Sequence, residues 1–205
     1  MNMAFVGGFY GVYMILRFHH FASAQTINLI DMVHEILTGQ WGDAALCLGG
    51  AALFFLATAV CTWLPKHTRF DRRWFSIGTD AVCAVILALL PEESSSYLCF
   101  YPSFFAMGAQ WGSFFEVQGC GCSTIFSTNN LRQFAMAWTE VKLNGNGKFR
   151  VRMRMFGFTL IFFHLGVAAG VLLYLAVGRA AMYFCLLPVA LAAVMLLRWK
   201  RTAEN

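Results

Sequence analysis

Two short stretches place amides and hydroxyls inside otherwise apolar sequence. The first, Phe21 to Leu29 (FASAQTINL), carries Ser23, Gln25, Thr26 and Asn28. The second, Ser123 to Leu131 (STIFSTNNL), carries Thr128, Asn129 and Asn130; Thr128, Asn130 and Leu131 answer to Thr26, Asn28 and Leu29. Gln110 stands upstream of the second. Amides offer donors and acceptors together, which suits a neutral or zwitterionic solute. A helix that begins at such a cluster adds the partial positive charge of its free N–H groups, which suits an anionic one. Gln25, Thr26, Asn28, Gln110, Thr128, Asn129 and Asn130 are therefore the candidate solute-binding residues. Their alternative role is to hydrogen-bond one membrane helix to another.

Other reactive side chains point less far. Asp80 is the one acid within an apolar run, and its place six residues past Trp74 puts it near a membrane surface. His164 reads as a hydrogen-bonded core histidine, and Arg17, His19 and His20 as headgroup anchors. Asp31, His34 and Glu35 read as an exposed helical face rather than a metal site. Of the seven cysteines, Cys120 and Cys122 form a C-G-C with no second C-x-C or Cys/His set, so small-residue packing is expected and no metal. There is no H-E-x-x-H, no G-x-S-x-G and no acid pair at helical spacing inside a span, so neither an enzyme nor a cofactor is expected.

The elements that must position the clusters are membrane spans. Of 205 residues, 59% are hydrophobic and only 12% charged, against about 25% charged in a soluble domain. The net charge of +5 lies in loops between apolar runs, without a basic stripe among exposed aromatics, so nucleic acid is not an expected partner. The first run, from Met3 through Leu16 towards Phe21, lacks a basic leader and an A-x-A site, and reads as a retained span. Further spans are read over Ala44 to Leu64, ended by Pro65, and over Trp74 to Leu90, Tyr97 to Phe115, Phe156 to Val177 and Ala180 to Leu197. Between them, Leu29 to Leu37 and Leu131 to Leu143 have apolar positions at helical spacing. Thr26 and Asn28 are read as caps of the first of these. Gly7 and Gly11, Gly108 and Gly112, and Gly166 and Gly170 stand four apart and invite close helix approach.

Charge orients the spans. The basic segments Lys66 to Arg73, Arg132 to Arg154 and Arg198 to Arg201 all fall on one side, which places both termini in the cytoplasm. The chain divides near Pro91 into pseudo-repeats, roughly 1–91 and 92–205, with GGFYGVY answering to GAQWGSF and Tyr10 to Trp111. Three spans per half make the halves of opposite orientation, an arrangement in which transporters place their site at the midplane. The expected fold is a single all-α membrane domain of six transmembrane helices in two inverted three-helix halves, each with a polar break and a short amphipathic or half-helix.

GGFYGVY … FASAQTINL, followed by MGAQWGSF … STIFSTNNLR, resembles the YoaK-type family of bacterial inner-membrane proteins, a domain of unknown function whose members show FxxAQTGN and then MGxQN … TGNL. The resemblance covers nearly the whole chain and implies six transmembrane helices in a bacterial plasma membrane. The family's glycine between Thr and Asn is here Ile27 and Asn129, an acid of the first helix falls about at Gly11, and the asparagine after Gln110 is Trp111.

The expectation is a multi-pass inner-membrane transporter or channel for a small polar solute, with its site between the two T-x-N-L clusters. The alternative is a non-transporting scaffold or sensor. The expected partners are the lipid bilayer, the solute and a second copy of the chain in a homo-oligomer.

Overall fold

In a computed structural model the described residues are 1–18, 21–91, 94, 96–117 and 119–204. His19 and His20 lie outside them. The order is α1 (Asn2–Phe18), α2 (Gln25–Leu37), α3 (Trp41–His67), α4 (Arg72–Leu89), α5 (Ser96–Ser113), β1 (Glu116–Val117), β2 (Cys120–Gly121), α6 (Thr128–Lys142), α7 (Arg150–Val177), α8 (Ala181–Phe184) and α9 (Leu186–Glu204). The chain is mostly helical. Among the described residues, the departure from the all-α expectation is a minimal antiparallel hairpin, Val117 opposite Cys120, turned through Gly119 at φ +75°. It forms at the C-G-C segment, and the cysteines that the structure describes are all free thiols.

Trp41–His67, 27 residues with an 18-residue stretch of mean hydropathy 2.2, and Gly147–Trp199, 53 residues with one of 2.4, are long and apolar enough to cross a membrane. Only 33% of the most apolar 18-residue stretch of each is buried in the protein. Phe55, Leu56, Leu172, Leu175 and Leu187 point outward, an apolar surface that water does not favour and lipid does. The same holds for α2: Ile30, Val33 and Leu37 are exposed, and Asn28 is the residue it buries.

α1 is the central helix. Val6, Phe9, Tyr10, Tyr13 and Met14 are fully enclosed, with Leu87, Phe100 and Met107 around them. α1 rests mainly on α7, and α5 on α3; α2 lies along α3, and α6 along α7; α4 touches α5 and α9, and α9 also touches α1. Small residues make these approaches. A side chain at Gly8 would strike the Phe163 backbone, one at Gly166 the Phe5 backbone, and one at Gly108 the Phe54 backbone. Gly7 instead faces the backbone of Thr124 and Ile125, and Gly11 the ring of Phe21, so the close contact of α1 with α7 runs through Gly8 rather than the Gly7/Gly11 pair.

Several boundaries differ from expectation. α3 passes through Pro65, which removes only one N–H of the last turn, and ends where Thr68 accepts no further turn and donates its Oγ1 to Leu64 O (2.7 Å). The expected sixth span breaks at Cys185 into α8 and α9, because Pro188 cannot donate back to Phe184 across the junction. Thr26 and Asn28 do not cap α2. The helix begins earlier, at Gln25, with Ala24 before it and no side-chain cap. His164 is exposed on α7, its Nδ1 2.8 Å from Leu160 O, because it falls on the outward face beside Ile161 and Leu165.

Asp80 is fully buried, not at a surface. It lies about two turns into α4, on the face it shares with Ser76, Cys83, Ala84 and Leu87. Neither carboxyl oxygen has a hydrogen-bond partner among the described residues, and neither has the buried Ser76 hydroxyl one turn earlier. The Tyr10 hydroxyl donates instead to the Asp80 backbone carbonyl.

Arg17 is a staple rather than a headgroup anchor. Nη1 donates to Leu87 O (2.5 Å) and Tyr13 Oη (2.7 Å), and Nη2 to Leu90 O (2.7 Å) and Pro91 O (3.0 Å), tying the end of α1 to the end of α4. Arg17→Gln is expected to cost about 2–3 kcal/mol, since charge-assisted bonds to carbonyls are lost together. That corresponds to a melting temperature roughly 4–12 °C lower, read by tryptophan fluorescence in detergent. Arg17→Lys recovers only part, because one ammonium cannot span carbonyls that the guanidinium fork reaches together.

Candidate functional site

The two polar clusters lie at the starts of α2 and α6, and both open on one cavity of about 750 Å3. Ser23, Gln25 and Thr26 line it from the first cluster and Thr128 from the second, with Thr58 of α3 and Trp111 of α5 between them. Thr26 and Thr128 are exposed into this space. Neither helix start is capped by a side chain: Ala24 precedes α2, and Ser127 precedes α6 without bonding its N–H groups. Gln25 N and Ile27 N donate only to the nearby backbone carbonyls of Ser23 and Ala24, and the aligned peptide dipoles of the two helix starts leave partial positive charge at the cavity.

A second cavity of about 540 Å3 adjoins the first and shares Thr58, Trp111 and Phe126 with it. Asn129 lines the second, and Arg132 Nη2 lies 3.5 Å from its Oδ1. The Trp111 ring stands edge-on to Phe126 (centroids 5.1 Å) and tilted on Phe54 (6.0 Å), so an aromatic partition separates the chambers. Arg72 closes the far end of the second cavity and also lines a third, of about 590 Å3, formed by the segment from Pro65 to Arg73.

The equivalent asparagines differ. Asn130 is fully engaged: its Oδ1 accepts from Ser123 N (3.1 Å), and its Nδ2 donates to Ser123 O (2.6 Å) and Phe126 O (3.3 Å). It holds the loop that Gly7 lets settle on α1. Asn28 is equally buried, yet its Nδ2 has no partner among the described residues; nor have Ser23 Oγ and Gln25 Oε1 beside it. Gln25 Nε2 does donate to Ala22 O (3.1 Å). Buried polar atoms are satisfied in most folded proteins, so this group is poised for water or a polar ligand. Gln110 stands apart from the cavities, where its Nε2 donates to Met3 O (2.6 Å) and Thr124 Oγ1 (3.0 Å) and joins α1, α5 and the second cluster's loop.

The structure thus brings Gln25, Thr26 and Thr128 together, sets Asn129 in the next chamber, and leaves Asn28, Gln110 and Asn130 behind the walls. Sequence reasoning missed Thr58, Thr62, Arg72 and Phe126. The two threonines stand four apart inside an apolar run and so share a helix face, a signal that was there to be read. Asp31, His34 and Glu35 do not gather; among the described residues, no three His, Cys, Asp or Glu side chains could hold one ion.

A family described as "Protein of unknown function (DUF1275)" matches residues 1–195. No curated protein and no solved structure matches the chain.

Proposed function

We propose that this chain, which belongs to the DUF1275 family of proteins of unknown function, is a carrier or channel for a small polar solute in a bacterial plasma membrane. The observation that carries the reading is the shared cavity: polar residues from two distant stretches, Gln25 with Thr26 and Thr128, line one space inside a largely apolar protein. Ser23 Oγ and Gln25 Oε1, which have no partner among the described residues, supply polar groups on its wall that a solute would engage, and the unpartnered Asn28 Nδ2 is buried behind that wall.

The packing supports two related halves. Exchanging α1 with α5, α2 with α6, α3 with α7 and α4 with α9 maps each main helix contact onto another. Gly8 meets Phe163 as Gly108 meets Phe54, and Gly170 meets Val12 as Gly112 meets Cys61. This register equates Gly8 with Gly108, and Tyr10 with Gln110, one step from the register suggested by glycine spacing. Six spans of inverted halves, with both termini cytoplasmic by the basic-loop rule, fit this pattern, as does the resemblance to YoaK-type proteins. Transport also accounts for the aromatic partition, since Trp111 and Phe126 stand where two chambers meet.

The test is flux. The purified chain in liposomes, mixed by stopped flow with urea, glycerol, formate or nitrate, is expected to pass at least one of these faster than protein-free liposomes. If none moves faster, the clusters serve a scaffold or sensor and transport is rejected.

A further inference from the structure

The cavities form a series, and their charge is one-sided. The third cavity, the vestibule, is lined by Arg69, Arg72 and Arg73 against Asp71 and Glu116. Asp71 is already neutralised: Arg73 binds both its oxygens, with Nη2 2.8 Å from Oδ2 and Nε 3.0 Å from Oδ1. Further in, among the described residues, Arg72 is the one charged side chain that lines either inner cavity. It sits at the neck, lining both the vestibule and the chamber of about 540 Å3.

The state of Arg72 suits recognition. No carboxylate pairs with it among the described residues, whose ion pair is Arg73 with Asp71. Its guanidinium lies over the Phe115 ring, 4.7 Å from the centroid, while the hydrogen bond at this residue goes from Ser113 Oγ to the backbone carbonyl (2.9 Å). The ring contact holds the guanidinium in place, and among the described residues no side chain accepts from its N–H donors, which leaves them for a carboxylate or another planar oxyanion. The side chain is half-buried, where a charge attracts more strongly than in bulk water. The uncapped starts of α2 and α6 add partial positive charge along the same route.

We infer that the solute is a small anion, of the size and planarity of formate or nitrate, and that Arg72 selects it at the neck between vestibule and inner chambers. This rests on the transport reading above and narrows its substrate class.

The experiment uses the full chain in liposomes, with potassium formate and potassium nitrate in the presence of a potassium ionophore, and urea and glycerol as neutral probes. The wild type is expected to move at least one of the anions faster than the neutral solutes. Arg72→Gln is expected to lower anion flux by about tenfold or more, the scale of one charge-assisted contact, with Arg72→Lys retaining part of it. Melting temperatures of both variants establish that they are folded. Passage of urea or glycerol without passage of anions overturns the anion assignment and leaves transport standing. Anion flux that persists in folded Arg72→Gln removes Arg72 as the selecting residue. If no probe moves, the transport reading falls and the inference with it.

Discussion

Replacing Gly166 with leucine is expected to lower the melting temperature of the detergent-purified protein by about 6–12 °C, equivalent to roughly 3 kcal/mol for a chain of this length. The cause is backbone contact. A Cβ at Gly166 would meet the Phe5 carbonyl and Cα, and one at Gly8 would meet the Phe163 carbonyl and the Val167 nitrogen. Neither neighbour is a side chain that can swing aside, so α1 and α7 would have to separate. α1 is the helix around which Phe9, Tyr10, Tyr13 and Met14 are enclosed, and separation opens that core. Gly8→Leu should act alike. Gly78→Ala is the control: nothing lies within 4 Å of the added carbon, and its melting temperature should fall by no more than ~2 °C or should rise, as alanine is the better helix former. Equal effects at Gly78 and Gly166 would show that close packing of α1 on α7 is not what these glycines serve.

The second large effect separates the two asparagines. Asn130→Ala removes both halves of an amide clamp on Ser123 and leaves that buried backbone N–H and carbonyl without this partner. At about 1–3 kcal/mol for each stranded group, a loss of roughly 3 kcal/mol is expected, with the loop before α6 loosened. Asn28→Ala removes a buried Nδ2 that has no partner among the described residues. Its stability cost should stay near 1 kcal/mol or less, whereas solute flux should fall by about tenfold or more if that group answers a ligand. Thermal melts and liposome flux on the same preparations decide the matter. Similar destabilisation by both substitutions, with flux lost only in proportion to unfolded protein, would assign both clusters to structure.

Much of the architecture was legible. Apolar runs located the long helices, because lipid demands continuous hydrophobic length. The repeated T-x-N-L located two helix starts on one cavity, and Gly166 with Gly170 marked a real close approach. What was hidden depends on partners. Gly8 looks no different from Gly7 until α7 is in place. Asn28 and Asn130 are the same residue type in matching motifs, and only the surroundings make one a clamp and leave the other open. Distance from the end of its helix places Asp80 near a surface, yet its position on the Ser76–Cys83–Leu87 stripe is what buries it. Pro65 reads as a stop, but in the last turn of α3 it costs too little to end the helix there. Arg72 and Phe126 carry no motif; they matter because the chain returns to set Phe126 between the two inner chambers and Arg72 between one of them and the vestibule.

The central claim is that a solute passes through the space between the two clusters, and Thr26→Trp tests it most directly. Thr26 faces the cavity and is not part of the core, so an indole there has room to enter the space without disturbing helix packing. The measurement is stopped-flow solute flux in liposomes, with the melting temperature determined on the same sample. The account predicts a melting temperature close to wild type and flux reduced to that of protein-free liposomes. Unchanged flux through a folded Thr26→Trp protein would place the route elsewhere and contradict the account.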